Sequence, residues 1–137
     1  MADWDDVRRI AAGLPQVKEI GPGEGGARHV KWVIKDKLVV WERPLRKADL
    51  AFLGDAAPTG TIMAAWVPDR VDKEALLSDS SNVYLSTPHF DGWDIVLVKL
   101  EEIPLDELEE LLVDSWLRQA PKRLAKEYLE NLGMDGD

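Results

Sequence analysis

The sequence predicts an α+β protein in which an antiparallel β-sheet is covered by helices on one face. Three observations carry this prediction. Apolar residues recur at helical spacing near both ends of the chain, but alternate or run together in short β-branched stretches between them. A short polar break, Lys35-Asp36, joins two strand-like segments and marks a hairpin, which is an antiparallel connection. The strands are not separated one by one by helices, as a parallel βαβ sheet would require.

Each element has its own signal. A first helix starts at Asp3, whose carboxylate can cap the amide of Asp6, and Trp4, Val7, Ile10, Ala11 and Leu14 form its buried stripe. Gly13 and Pro15 end it, with Gly13 expected to take the left-handed exit. A short strand over 16–20 leads into the glycine-rich loop 21–26, which lacks the Gly-Lys-Ser/Thr and following helix of a phosphate-binding loop. Residues 28–43 form the hairpin: Val30, Trp32 and Ile34 alternate with His29, Lys31 and Val33, and Leu38 to Trp41 make the return strand. A basic connector containing Pro44 follows, with a short helix around 47–52.

Residues 61–67 read as a long strand. Pro68 and Asp69 start a helix over 70–78, with Val71, Ala75 and Leu76 facing inward. Residues 83–86 and 93–100 are two further strands. Pro104 suits the first turn of a helix, where its missing amide proton has no partner to lose. Leu105, Leu108, Leu111, Leu112, Ser115 and Trp116 supply the stripe of that helix, and Asp106, Glu107, Glu109 and Glu110 complement its dipole. Pro121 breaks it, and a last helix runs over 121–132.

Length and composition bound the function. The 137 residues amount to one domain, 1–137, with a core large enough to hold without metal or disulfide. There is no cysteine, which excludes thiol catalysis, thiolate zinc sites and iron–sulfur clusters. The expected protein is cytoplasmic: it begins with no signal-peptide pattern and contains no run of about 18 apolar residues.

The formal net charge of −9 repels polyanions overall, yet charge is unevenly distributed. Residues 28–47 hold seven basic groups against two acids, and residues 115–126 hold four against none. Residues 99–114 hold seven acids against one lysine.

The stretches Glu42–Leu50 (ERPLRKADL), Ser86–Trp93 (STPHFDGW) and Ala120–Leu129 (APKRLAKEYL) resemble the MmcQ/YjbR group. So do Leu14-Pro15 followed by Val17, the KWVIKDKLVVW hairpin, and Leu112-Val113-Asp114-Ser115-Trp116. The resemblance spans roughly residues 4–130, and the order of the motifs is more specific than any one of them. It implies a CyaY-like α+β fold of double-wing type and a DNA-binding role, and it brings no catalytic residues.

Two candidate sites follow. The first is the basic island, Arg28, Lys31, Lys35, Lys37, Arg43, Arg46 and Lys47, with phosphates on its cations and a base stacked on Trp41. The second is the loop carrying Thr87, His89, Phe90, Asp91 and Trp93, read as a ligand or protein-interaction loop. There Asp91 could orient His89 beside Thr87, but neighbours on one loop are not a triad and no oxyanion signature accompanies them.

A zinc site would need His29, His89 and Asp91 to converge, and their spacing does not suggest it. The expectation is therefore a non-enzymatic binding protein with no cofactor, no metal and no membrane partner. DNA is the leading ligand, a protein- or small-ligand module is the alternative, and an uncharacterised enzyme using the Thr87–Asp94 loop is the third reading. Most of the six tryptophans are expected to anchor the core, leaving one or two for a groove.

Overall fold

Local geometry follows the sequence signals closely in the computed structural model, which describes residues 2–135. Helix α1 (Trp4–Ala12) is followed by strands β1 (Val17–Ile20), β2 (Lys31–Ile34) and β3 (Lys37–Glu42). Then come α2 (Lys47–Leu53), β4 (Ile62–Trp66), α3 (Arg70–Leu77), β5 (Tyr84–Leu85) and β6 (Ile95–Lys99). Two helices, α4 (Leu105–Gln119) and α5 (Lys122–Asp135), close the order. The six strands form one sheet in the order β1-β2-β3-β4-β6-β5, and every neighbouring pair is antiparallel.

Asp3 caps α1 in a reciprocal box with Asp6, each side chain accepting the other's amide at 3.0 Å. The β2–β3 turn places both Lys35 (φ 46°) and Asp36 (φ 68°) in the left-handed region, as a two-residue hairpin turn of the primed type requires. The hairpin is not regular. Trp32 stands opposite Val40 and Val33 opposite Leu38, so β3 carries one extra residue, Val39. This bulge lets the consecutive Val39 and Val40 both join the helix-side core.

That core lies between the sheet and helices α1 and α4. Trp32, Ile34, Met63, Ala65, Val96 and Val98 from the strands meet Val7, Leu108, Leu112 and Trp116 from the helices. Trp4 stacks on Trp32 with ring centroids 5.6 Å apart. Trp116 donates its indole N–H to the Pro15 carbonyl at 3.0 Å, tying α4 to the end of α1. The α+β expectation, an antiparallel sheet with its long helices on one face, therefore holds.

The opposite face carries a smaller apolar layer that was not expected. Ile62, Ala64, Ile95 and Leu97 are buried there beneath Phe90, with Trp41, Leu45, Trp66 and Leu85 packed around them. By register, this face continues toward the β1 edge as Lys18, Ile20, Lys31, Val33 and Leu38.

Four local expectations need correction. Gly13 has φ −85° and stays right-handed; the left-handed residue after α1 is Gln16, at φ 61°. On α3, Val71 is 73% exposed and Ala75 is exposed, while the buried residue is Lys73. Leu105 is exposed because the buried stripe of α4 starts at Leu108. Trp93 is 56% exposed because β6 begins two residues later, at Ile95.

Candidate nucleic-acid interface

The basic island does not fold into one cluster. Its members separate into a groove, a hairpin tip, a buried ion pair and the start of the helix α2. The groove lies between residues 27–31, which lead into β2, and residues 38–46, which form β3 and its exit. It encloses about 420 Å³ and brings together Arg28, Lys31 and Arg46 with Trp41, His29 and Glu42. The hairpin register sets this geometry: Lys31 and Trp41 are direct cross-strand partners on the face away from α1 and α4. Trp41 is half-buried against the second apolar layer. Glu42 moderates the positive charge, with its carboxylate 3.5 Å from His29 Nδ1.

Lys35 and Lys37 are exposed at the hairpin tip, outside this groove. Four residues of strand separate Lys31 from Lys35, about 13 Å along the chain. Lys47 is exposed at the start of α2 and does not line the groove.

Arg43 is removed from the set of surface cations. It is 5% exposed, and its Nη1 donates to Asp49 Oδ2 at 3.1 Å and to the Pro44 carbonyl at 2.6 Å. Asp49 is also buried and accepts the Arg46 amide at 2.9 Å. Burial by itself would raise the Asp49 carboxyl. The Arg46 amide and the Arg43 guanidinium outweigh it and hold the group below its ordinary value. The pair thus fixes the turn that carries Arg46 to the groove rim.

The Thr87–Trp93 loop packs against this ion pair. Arg43 lies over the Phe90 ring at 5.2 Å, and the Thr87 side chain is buried beside Asp49. The motif stretches 42–50 and 86–93, far apart in sequence, therefore meet in space. Within the loop, Pro88–Phe90 form a turn of 3-10 helix, and Gly92 adopts φ 83°, a conformation that favours glycine.

Lys73, from α3, holds the loop from below, donating to the Phe90 carbonyl at 2.9 Å and the Trp93 carbonyl at 2.7 Å. Desolvation lowers the pKa of its ammonium, while the nearby Asp91 and Asp94 act the other way. Sequence reading assigned no role to Lys73. Its spacing three residues before the partly buried Leu76 was the available signal.

His89 and Asp91 are exposed while Thr87 is buried, so the loop residues do not converge as a nucleophile and base. His89 instead meets Phe90 edge to face at 4.8 Å. Among the described residues, no group of three or more His, Asp or Glu side chains is placed to hold a metal ion. Trp93 projects from the loop and sets its ring at 77° to that of Trp66, centroids 6.2 Å apart. Arg118 covers Trp66 at 4.6 Å and pairs with Asp94 at 3.0 Å.

The C-terminal basic segment sits on the helical layer instead. Leu124, Ala125 and Tyr128 pack α5 into the helix-side core, and Arg123 and Lys126 pair with Glu127 and Glu130 along the same helix. Apart from Arg118, which reaches Trp66 of the second apolar layer, the second basic island thus lies on the helical layer. Among the described residues, no helix is long and apolar enough to cross a membrane.

These features define an α+β protein built on one antiparallel sheet, with helices on one face and a basic, tryptophan-walled groove on the other. The chain belongs to the same family as the uncharacterized protein Rv2570 of Mycobacterium tuberculosis (strain H37Rv) and the uncharacterized protein Mb2600 of Mycobacterium bovis. It is 46% identical to each over 136 residues, covering 97% of this chain and 100% of theirs. No family model matches the chain. Its fold resembles the crystal structure of Deinococcus radiodurans protein DR2400, which carries a DUF419 domain. The TM-score is 0.61 at 20% identity, over 85% of this chain and 78% of the other.

Proposed function

We propose that this is a cytoplasmic, non-enzymatic DNA-binding protein of the MmcQ/YjbR type, and that the Arg28–Arg46 groove is its DNA site. The observation that carries the reading is the convergence of Arg28, Lys31 and Arg46 around Trp41 in one groove of a protein whose net charge is −9. Cations concentrated in this way on an acidic protein restrict polyanion binding to one place. The motif resemblance supports the same role. The residues of the loop, lacking a converged nucleophile and base, favour binding over catalysis.

Fluorescence anisotropy of labelled DNA across a salt series tests the proposal. With three phosphate contacts, log affinity should fall against log salt with a slope of about −2 to −3. The triple change Arg28→Gln, Lys31→Gln and Arg46→Gln should remove most of the binding and that slope. The hairpin-tip pair Lys35→Gln and Lys37→Gln should cost less, and Lys122→Gln with Arg123→Gln should leave affinity unchanged. Absence of binding at about 20 mM salt, where the Debye length exceeds about 20 Å, would refute the reading and favour a protein- or small-ligand module.

A further inference from the structure

We infer that the groove takes single-stranded rather than duplex DNA, with one base stacked on Trp41 and its flanking phosphates on Arg28, Lys31 and Arg46. This deepens the DNA-binding reading and rests on it. A duplex hides the faces of its bases and presents only their edges, so an indole wall has nothing to stack on there. An unpaired base presents its whole face. Trp41 is well placed for this because its strand is held on both sides, by β2 and by β4, and its ring is wedged against a packed apolar layer. The cavity, about 420 Å³, is at the small end of ligand sites, the size of one nucleotide unit rather than of a surface following a double helix.

Charge points the same way. A duplex carries one phosphate charge per about 1.7 Å of its axis, and the groove offers three cations besides the ion-paired Arg43, with Glu42 among them. A flexible single strand can lay its few nearest phosphates on those cations and turn away from the acidic remainder. A second aromatic surface lies on the same side of the sheet. Trp93 is 56% exposed and is backed edge-on by Trp66, which the Arg118 guanidinium covers.

The test compares a labelled oligothymidylate of about 12 nucleotides, within the site sizes of single-strand binders, with a duplex of the same length. At about 20 mM salt, where electrostatic attraction is strongest, the single strand should bind at least about tenfold more tightly. Trp41→Leu, which still fills the apolar layer, should weaken single-strand binding about 5- to 150-fold, and Trp41→Phe should recover most of it. Trp93→Ala, at an exposed position, should give a smaller loss without disturbing the fold. Duplex binding as tight as single-strand binding would overturn this inference and leave the DNA reading standing. So would single-strand binding that Trp41→Leu does not change. No binding by either probe would overturn both.

Discussion

Removing the Asp49 carboxylate should destabilise the protein far more than removing any exposed charge of the same segment. In Asp49→Ala, the Arg43 guanidinium remains inside, over Phe90, without its counter-ion, and the Arg46 amide loses its acceptor. Both side chains of the pair are nearly inaccessible, at 6% and 4%. Breaking a buried pair on one side costs about 3–5 kcal/mol, because the charge left behind is not solvated. For a chain of this size that lowers the melting temperature by about 9–15 °C.

Replacing both partners with apolar residues, Arg43→Met with Asp49→Leu, should recover at least about 2 kcal/mol relative to the sum of the single changes. Urea unfolding of the four proteins, followed by tryptophan fluorescence, supplies the cycle. A loss below about 1 kcal/mol in Asp49→Ala, the range of surface substitutions, would show that Arg43 reaches solvent. Additive single changes would show that the two residues do not interact.

Trp32→Ala should cost about 3–5 kcal/mol in the same unfolding assay, because the indole is buried between the sheet and Trp4. Lys73→Met keeps the buried stem but leaves the Phe90 and Trp93 carbonyls without their charged donor; a loss of about 2–3 kcal/mol is expected, with faster amide exchange confined to 87–93. The acid limb of stability should also depend on Asp49. Its folded pKa lies below the unfolded value, so its contribution is complete above about pH 4 and is lost as pH falls through the folded pKa. Asp49→Asn should remove that portion of the acid transition, and an unchanged limb in acid titrations of stability would contradict the assignment.

Elements whose cause is local were legible in the sequence. The Asp3 cap on the Asp6 amide, the Lys35-Asp36 turn, the alternation of Val30, Trp32 and Ile34, and the Leu108–Trp116 stripe each act over a few residues, and each appears in the structure where its pattern placed it. The inward Trp32 follows from the same alternation, since turning it outward would bury Lys31. Hydrophobic pattern and backbone preference specify such features without knowledge of what lies opposite them.

The candidate site was legible only in its residue types. Sequence could assemble seven cations between 28 and 47, but charge alone does not say which cation finds a carboxylate. Asp49, six residues beyond Arg43, took Arg43 inside, while the strand rise carried Lys35 and Lys37 away from the groove. Lys73 went unassigned for a related reason. A lysine on a short helix reads as solvent-facing until a distant loop, here 87–93, presents carbonyl oxygens that repay its burial.

The sequence by itself determined the helices, the hairpin, the helix-side core and the acidic balance, all set by neighbours within a turn or a strand. The tertiary structure alone decided the second apolar layer and the meeting of residues 42–50 with 86–93. Those depend on contacts between segments tens of residues apart, where burial and pairing are properties of the assembled sheet and not of any one stretch of chain.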